Sequence, residues 1–271
     1  PPAPPHRRSR CATRSRSPCA ASRSARGRPK TIVPTTGSSA EQVLQQARAI
    51  GDNPDADLIE FRIDYLDFAT DAARVAALGR QVAAAAHGKP MIVTFRTRAE
   101  GGARAITDAD YGTLYAALLQ AGFVDLLDVE MFRDATVVQA LVAQAHRAGA
   151  KVVMSSHDFH ATPAAAEIVA RLRRQDALGA DVLKIAVMPH DTADVLTLLD
   201  ASAQIRARYS DKPLLVMSMG GVGAITRLSG EVFGSDLTFG MIGVPSAPGQ
   251  VEVGQLHQVL GVIHAAVTGG R

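Results

Sequence analysis

Lys184 lies in the middle of an apolar, β-branched run, Asp181-Val-Leu-Lys-Ile-Ala-Val187, entered from Gly179-Ala180 and closed by Pro189. The chain has five lysines against twenty-four arginines, so this one is not drawn from a lysine-rich surface. Removing an ammonium from water favours its neutral form, and a neutral amine condenses with a ketone or aldehyde to give an imine. A lysine at a strand end also snorkels to water or pairs with a carboxylate. The run by itself admits both readings.

Imine chemistry needs a group that moves protons, and His157 is the candidate. Ser155 and His157 share a parity at the end of the segment before the one holding Lys184. A neutral imidazole is the usual proton carrier near neutral pH. Adjacent strands lie about 4.8 Å apart, so His157 and Lys184 are expected to reach one small substrate. His160, in the following loop, reads as structural. Alternation sorts the segment 57–64 into Ile59, Phe61 and Ile63 on one face and Leu58, Glu60, Arg62 and Asp64 on the other. Adjacent charges on an inward face either neutralise one another or hold a polar ligand. Arg96 ends the next such segment, and Glu100 follows in a loop that Gly101-Gly102 lets bend tightly. Arg227 comes after Met219-Gly-Gly-Val-Gly223, and Pro245-Ser246-Ala-Pro-Gly-Gln250 presents a hydroxyl and an amide. An arginine with those donors suits a carboxylate or a polyol. A phosphate site is common in the same region of barrels, so a phosphorylated ligand is also compatible.

Eight repeats of strand and helix would bring these residues together. Strands are expected at 30–34, 57–64, 91–96, 124–130, 151–157, 181–187, 213–219 and 236–243. Helices are expected at 38–50, 70–86, 107–120, 134–147, 163–178, 192–208 and 251–267, with a shorter one before the eighth strand. Thr162 serves as the predicted N-cap of the fifth helix, with Pro163 at its first position. Eight such units are the signature of an α/β fold of the (β/α)8 TIM-barrel type, with its active site at the C-terminal mouth. A doubly wound sheet of eight units would be unusually wide, and no Gly-x-Gly-x-x-Gly follows the first strand.

The net charge of +3 conceals an asymmetry. Residues 1–30 hold eight arginines, Lys30 and no acid, which leaves 20 basic against 26 acidic residues in 31–271, a net charge of −6 there. The segment 1–28 is rich in Pro, Ser and Arg and poor in large apolar residues, so a disordered tail is expected, with 29–271 as the barrel. A tail without a role, a transit peptide and a nucleic-acid-binding arm all fit that composition; a role on nucleic acid is the least expected. Both cysteines, Cys11 and Cys19, lie in the tail, which excludes a disulfide or thiolate metal site from the barrel. No secretory pattern and no bilayer-length apolar run is visible, and a soluble, cytoplasmic protein is expected.

The segments Glu60-Phe-Arg62-Ile-Asp64, Phe95-Arg96-Thr-Arg-Ala-Glu100-Gly-Gly, Met154-Ser-Ser-His157-Asp-Phe, Leu183-Lys184-Ile-Ala-Val-Met-Pro, Thr226-Arg227-Leu and Ser246-Ala-Pro-Gly-Gln250 together resemble type I 3-dehydroquinate dehydratase. Each motif stands at or just after a strand, in family order, from about residue 29 to the end. The resemblance implies dehydration of 3-dehydroquinate to 3-dehydroshikimate in the shikimate pathway, with no metal or organic cofactor, by a homodimer. It implies that Lys184 forms a Schiff base with the substrate ketone and that His157 is the general acid and base, assisted by Glu100. Arg227, Ser246 and Gln250 would hold the carboxylate, and Glu60, Arg62 and Arg96 the ring hydroxyls. The chain departs from the family in having Gly221 where a lysine is common, and in showing no N-terminal hairpin to close the barrel floor. A Schiff-base aldolase or transaldolase-type barrel is the nearest alternative, and a non-catalytic sensor of quinate-like ligands a further one.

Overall fold

The computed structural model describes residues 27–269. Strands and helices alternate as β1 (Lys30–Pro34), α1 (Ala40–Asp52), β2 (Leu58–Arg62), α2 (Ala72–Ala85), β3 (Met91–Thr94), α3 (Asp108–Gln120), β4 (Leu126–Glu130), α4 (Ala135–Arg147), β5 (Lys151–Asp158), α5 (Ala165–Ala177), β6 (Val182–Val187), α6 (Thr192–Arg208) and β7 (Leu214–Ser218). Two one-turn helices follow, α7 (Ile225–Leu228) and α8 (Gly230–Phe233), then β8 (Leu237–Met241), β9 (Val251–Glu252) and α9 (Val253–Gly269). Side-chain caps fix several helix starts: Ser39 and Gln42 form a capping box on α1, and Thr107 and Asp134 accept backbone N–H groups at the starts of α3 and α4.

Every strand pairing is parallel and the order is β7-β6-β5-β4-β3-β2-β1-β8-β9. The curled sheet closes where β8 returns beside β7. There the Asp236 N–H donates to the Leu214 carbonyl at 2.8 Å, and Asp236 Oδ2 accepts the Leu214 N–H at 2.8 Å. Arg206 of α6 pairs with the same carboxylate. Higher up, β9 pairs with Gly240 and Met241 at the end of β8, bringing Gln250 to the mouth. This is the expected (β/α)8 barrel.

Alternation along each strand divides two apolar clusters. Ile59, Phe61 and Ile63 belong to the large one between sheet and helices. Ile32, Leu58, Ile92, Val153, Val182, Leu215 and Leu237 belong to a second inside the barrel, with Leu126 packed against it. Two residues further along the same parity come Glu60, Thr94, Asp128, Ser155 and Lys184, and two beyond those Arg62, Arg96, Glu130 and His157. The interior therefore changes from hydrocarbon to ionisable groups toward the strands' C-terminal ends.

Several boundaries differ from expectation. β2 stops at Arg62, where Ile63–Tyr65 turns into a short 3₁₀ helix, and β3 stops at Thr94. Helix α5 starts at Ala165, not at Pro163, and Thr162 is not its cap: the Thr162 hydroxyl donates to the Met188 carbonyl at 3.0 Å instead. The last helix starts at Val253, since Val251-Glu252 pairs as β9. Of the disordered tail expected over 1–28, residues 1–26 lie outside those described, as does the question of a floor hairpin; of the other two, Arg28 is placed, with Nη1 2.7 Å from His257 Nε2. Among the described residues no helix is long and apolar enough to cross a membrane.

Candidate active site

The nine residues singled out in the sequence, Glu60, Arg62, Arg96, Glu100, His157, Lys184, Arg227, Ser246 and Gln250, all line one cavity at the barrel mouth. About 470 Å³ of empty space lies between these residues, part of it open solvent. Phe159, Met217, Met219 and Phe239 supply apolar wall between the polar groups. That size and mixture suit a small polar ligand.

Lys184 is 3% exposed, and its surroundings differ from the expected hydrocarbon. Nζ donates to Asp128 Oδ2 at 2.8 Å and lies 3.8 Å from Glu60 Oε1, with the Phe239 ring centroid at 5.0 Å. The amine is buried but ion-paired, because an isolated charge in that position would lack compensation. Asp128 was not anticipated. It also accepts from the Ser155 hydroxyl at 2.6 Å and lies 2.7 Å from Arg96 Nη2. Burial pushes its carboxyl up, but Arg96 and Lys184 outweigh that and hold it well below the usual carboxylate range. The available signal was parity: in Leu126-Leu-Asp-Val-Glu130 the two acids share the inward face, as Glu60 and Arg62 do on β2.

Arg96 is spent largely on carboxylates. Nη1 donates to Glu130 Oε1 at 2.9 Å and to Ser155 Oγ at 2.9 Å, and lies 3.5 Å from Glu100 Oε2. Arg62 binds Asp64 in bidentate fashion, at 2.8 and 2.9 Å, through Nε and Nη2. Asp64 and Glu130 then hold the loop after β3. Glu130 accepts from Thr97 N–H and hydroxyl, both at 2.8 Å, and Asp64 accepts the Ala103 N–H at 3.1 Å. Gly101 has φ +82°, and a Cβ on Gly102 would overlap the Arg96 carbonyl, so this tight loop requires glycine.

That loop aims Glu100 at His157. Glu100 Oε2 meets His157 Nδ1 at 2.8 Å and accepts the His157 backbone N–H at 3.1 Å. Burial, reinforced by Glu130, pushes the Glu100 carboxyl up to about 8. Burial and the neighbouring Arg96 and Lys184 cations drive His157 well below its ordinary value. The imidazole is therefore neutral at pH 7. In the tautomer with the ring proton on Nδ1, Oε2 accepts both His157 N–H groups and Nε2 keeps its lone pair. Across β5 and β6, Ser155 pairs with Lys184 and His157 with Ala186, so the ring stands one inward position above the amine. His160 lies outside the cavity lining.

Arg227 is 1% exposed and, among the described residues, has no carboxylate partner. Nη2 donates to the Pro248 carbonyl at 3.0 Å, Nη1 faces Met217 Sδ at 3.7 Å, and Nε is unpaired. Burial lowers its pKa to about 10, which still leaves it charged at pH 7. Beside it, Ser246 N–H donates to Gln250 Oε1 at 2.7 Å and Gln250 Nε2 to Ser246 Oγ at 3.1 Å. A desolvated cation with spare donors is a receptor for an anion.

A parallel barrel that gathers a buried lysine, a braced neutral histidine and an uncompensated arginine at its mouth is a barrel enzyme built for a small anionic substrate. The sequence model of the type I 3-dehydroquinase family matches residues 31–267. The chain is 49% identical to the catabolic 3-dehydroquinate dehydratase of Acinetobacter baylyi, over 85% of each protein. It is 45% identical to the 3-dehydroquinate dehydratase of Syntrophotalea carbinolica, over 88% of this chain and 94% of that one. The crystal structure of type I 3-dehydroquinate dehydratase from Clostridium difficile, solved with covalently modified comenic acid, superposes with a TM-score of 0.86 at 40% identity, over 89% of this chain and 95% of that one. This chain belongs to the type I 3-dehydroquinase family.

Proposed function

We propose that the protein removes water from 3-dehydroquinate to give 3-dehydroshikimate, a step of the shikimate pathway, through an imine on Lys184. The observation that carries this reading is one cavity holding Lys184, a neutral His157 braced at Nδ1, and Arg227 with no carboxylate of its own. Arg227, Ser246 and Gln250 take the substrate carboxylate, while Glu60 and Arg62 Nη1 take ring hydroxyls. Arg96 lines the same wall, but most of its donors hold Asp128, Glu130 and Ser155, so it contributes chiefly by fixing those groups. Lys184 first passes one ammonium proton to the neutral His157, and the freed amine adds to the ketone carbon; the imidazolium then returns that proton to the carbinolamine hydroxyl, which leaves as water to give an iminium and a neutral ring. The iminium draws electrons from the adjacent carbon, and His157 Nε2 takes the proton there to give an enamine. The imidazolium returns that proton to the hydroxyl one carbon further on, which departs as water. Hydrolysis of the conjugated iminium frees the product and restores Lys184. Asp128, held far on the acid side, orients the amine; Glu100 orients the ring. The family likeness implies no metal or organic cofactor.

Mixing the full chain with 3-dehydroquinate tests the reading. Conjugated-enone absorbance is expected to grow, and borohydride is expected to fix a ligand-derived mass on Lys184; trapping only with a sugar phosphate would favour an aldolase. We also propose a cytoplasmic homodimer. The family likeness supports the dimer, and Val232 of α8 and Val262 of α9, 59% and 70% exposed on helices that touch one another, offer a place to test it. Sedimentation of wild type against Val262→Glu tests it, and a wild-type monomer would contradict it.

A further inference from the structure

Gln175 lies on the inner side of α5, 0% exposed, on the same buried side of the helix as Ile168, Val169 and Leu172. An amide in that apolar layer is costly unless its hydrogen bonds are made. They are made to the backbone of a single residue, in the two peptide groups that flank its Cα: Oε1 accepts the Lys184 N–H at 2.9 Å, and Nε2 donates to the Lys184 carbonyl at 2.8 Å. The second Nε2 hydrogen is directed at Met131 Sδ, 3.5 Å away. Helix α3 treats the counter-ion similarly, since the Tyr111 and Tyr115 hydroxyls both donate to the Asp128 carbonyl, at 3.2 and 2.8 Å. Both halves of the Lys184–Asp128 ion pair thus have their backbones mounted from the helix layer behind the sheet.

We propose that Gln175 is a positioning residue for the nucleophile. Its amide fixes the peptide groups on both sides of the Lys184 Cα, and with them the height and heading at which that side chain enters the mouth. A lysine side chain is long and flexible, so its reach is set by where its Cα is held and by the ion pair at its tip. A displacement of about 1 Å at a reacting atom is enough to cost on the order of 10²-fold in rate. The proposal rests on the imine reading above.

Gln175→Leu removes both hydrogen bonds at similar volume. Gln175→Glu retains both while its carboxyl is protonated, with C=O accepting and O–H donating, and loses the donor when it ionises. Burial will hold that carboxyl's pKa up. The measurement is the rate at which borohydride locks 3-dehydroquinate onto Lys184 in the full chain. Affinity for quinate, which has a hydroxyl in place of the ketone, and melting temperature are read alongside. For Gln175→Leu the locking rate is expected to fall ~10²-fold with quinate affinity unchanged. For Gln175→Glu the rate relative to wild type at the same pH is expected to start near one in acid and decline as pH rises. A Gln175→Leu rate equal to wild type would overturn the proposal. If that variant does not fold, a Gln175→Glu ratio that stays flat with pH would overturn it. Absence of any adduct in wild type would instead remove the imine reading and this proposal together, so the two failures are distinguishable.

Discussion

At the scale of single residues, the site works by where protons are held. Glu100 sits against His157 as a carboxyl whose pKa is raised to about 8, because it is buried and faces Glu130. A carboxyl raised in the fold contributes stability that is fully present below its unfolded value, near 4.5, and that is lost as pH rises through 8. Glu100→Gln cannot ionise and still offers an oxygen to both His157 N–H groups. Its melting temperature relative to wild type is therefore expected to climb between about pH 5 and pH 8.5, and any inflection near pH 8 in kcat/KM is expected to vanish; melting curves at both pH values check the sign. Arg227 gives the opposite kind of test. Its guanidinium is buried without a carboxylate, a liability until an anion arrives. Arg227→Met is expected to leave the free protein as stable or more so, and to weaken substrate binding by roughly 1.5–3 kcal/mol, the worth of a charge-assisted bond. Calorimetric titration with quinate measures the second effect; unchanged affinity would remove Arg227 from carboxylate recognition.

At the scale of elements, two devices hold the machinery. The Thr97–Arg104 loop carries Glu100 and is pinned by Glu130 and Asp64. Gly102→Ala forces a methyl group into the Arg96 carbonyl and moves that loop. It is expected to lower kcat while leaving KM nearly unchanged, because Arg227, Ser246 and Gln250 stand on other elements. At the seam, Asp236→Ala removes the acceptor for Leu214 N–H and the partner of Arg206, and is expected to cost about 1–3 kcal/mol in urea unfolding with kcat retained. Parity and strand ends made Glu60, Arg62, Arg96, His157 and Lys184 legible from sequence, since period-two alternation is local. Asp128 was not legible as the partner of Lys184: the two are joined only when β4 and β6 curl toward one interior, a contact across 56 residues. Gln175 was hidden for a different reason. Its helix shows an ordinary amphipathic pattern, and nothing in that pattern says which peptide the amide meets. Helix α5 also began later than Thr162-Pro163 indicates, because the threonine hydroxyl is drawn to the Met188 carbonyl after β6.

At the scale of the molecule, the charge divides along the chain. Residues 31–271 carry 20 basic and 26 acidic residues, and the basic excess belongs to the first thirty. Every residue lining the cavity lies between Glu60 and Gln250, so deletion of residues 1–26 is expected to leave kcat/KM unchanged while removing the basic excess. A folded remnant that loses activity would give the segment a role in catalysis. The barrel itself is an apolar plug capped by ionisable side chains, with an amine near its centre tied to a carboxylate until a carbonyl displaces that pairing. The most direct measurement is mass spectrometry of the intact chain after borohydride reduction with 3-dehydroquinate, followed by peptide mapping. One ligand-derived mass on Lys184, absent from Lys184→Ala, is the expected result; an unmodified chain that still produces the enone, or label on another lysine, would contradict the imine at the centre of this mechanism.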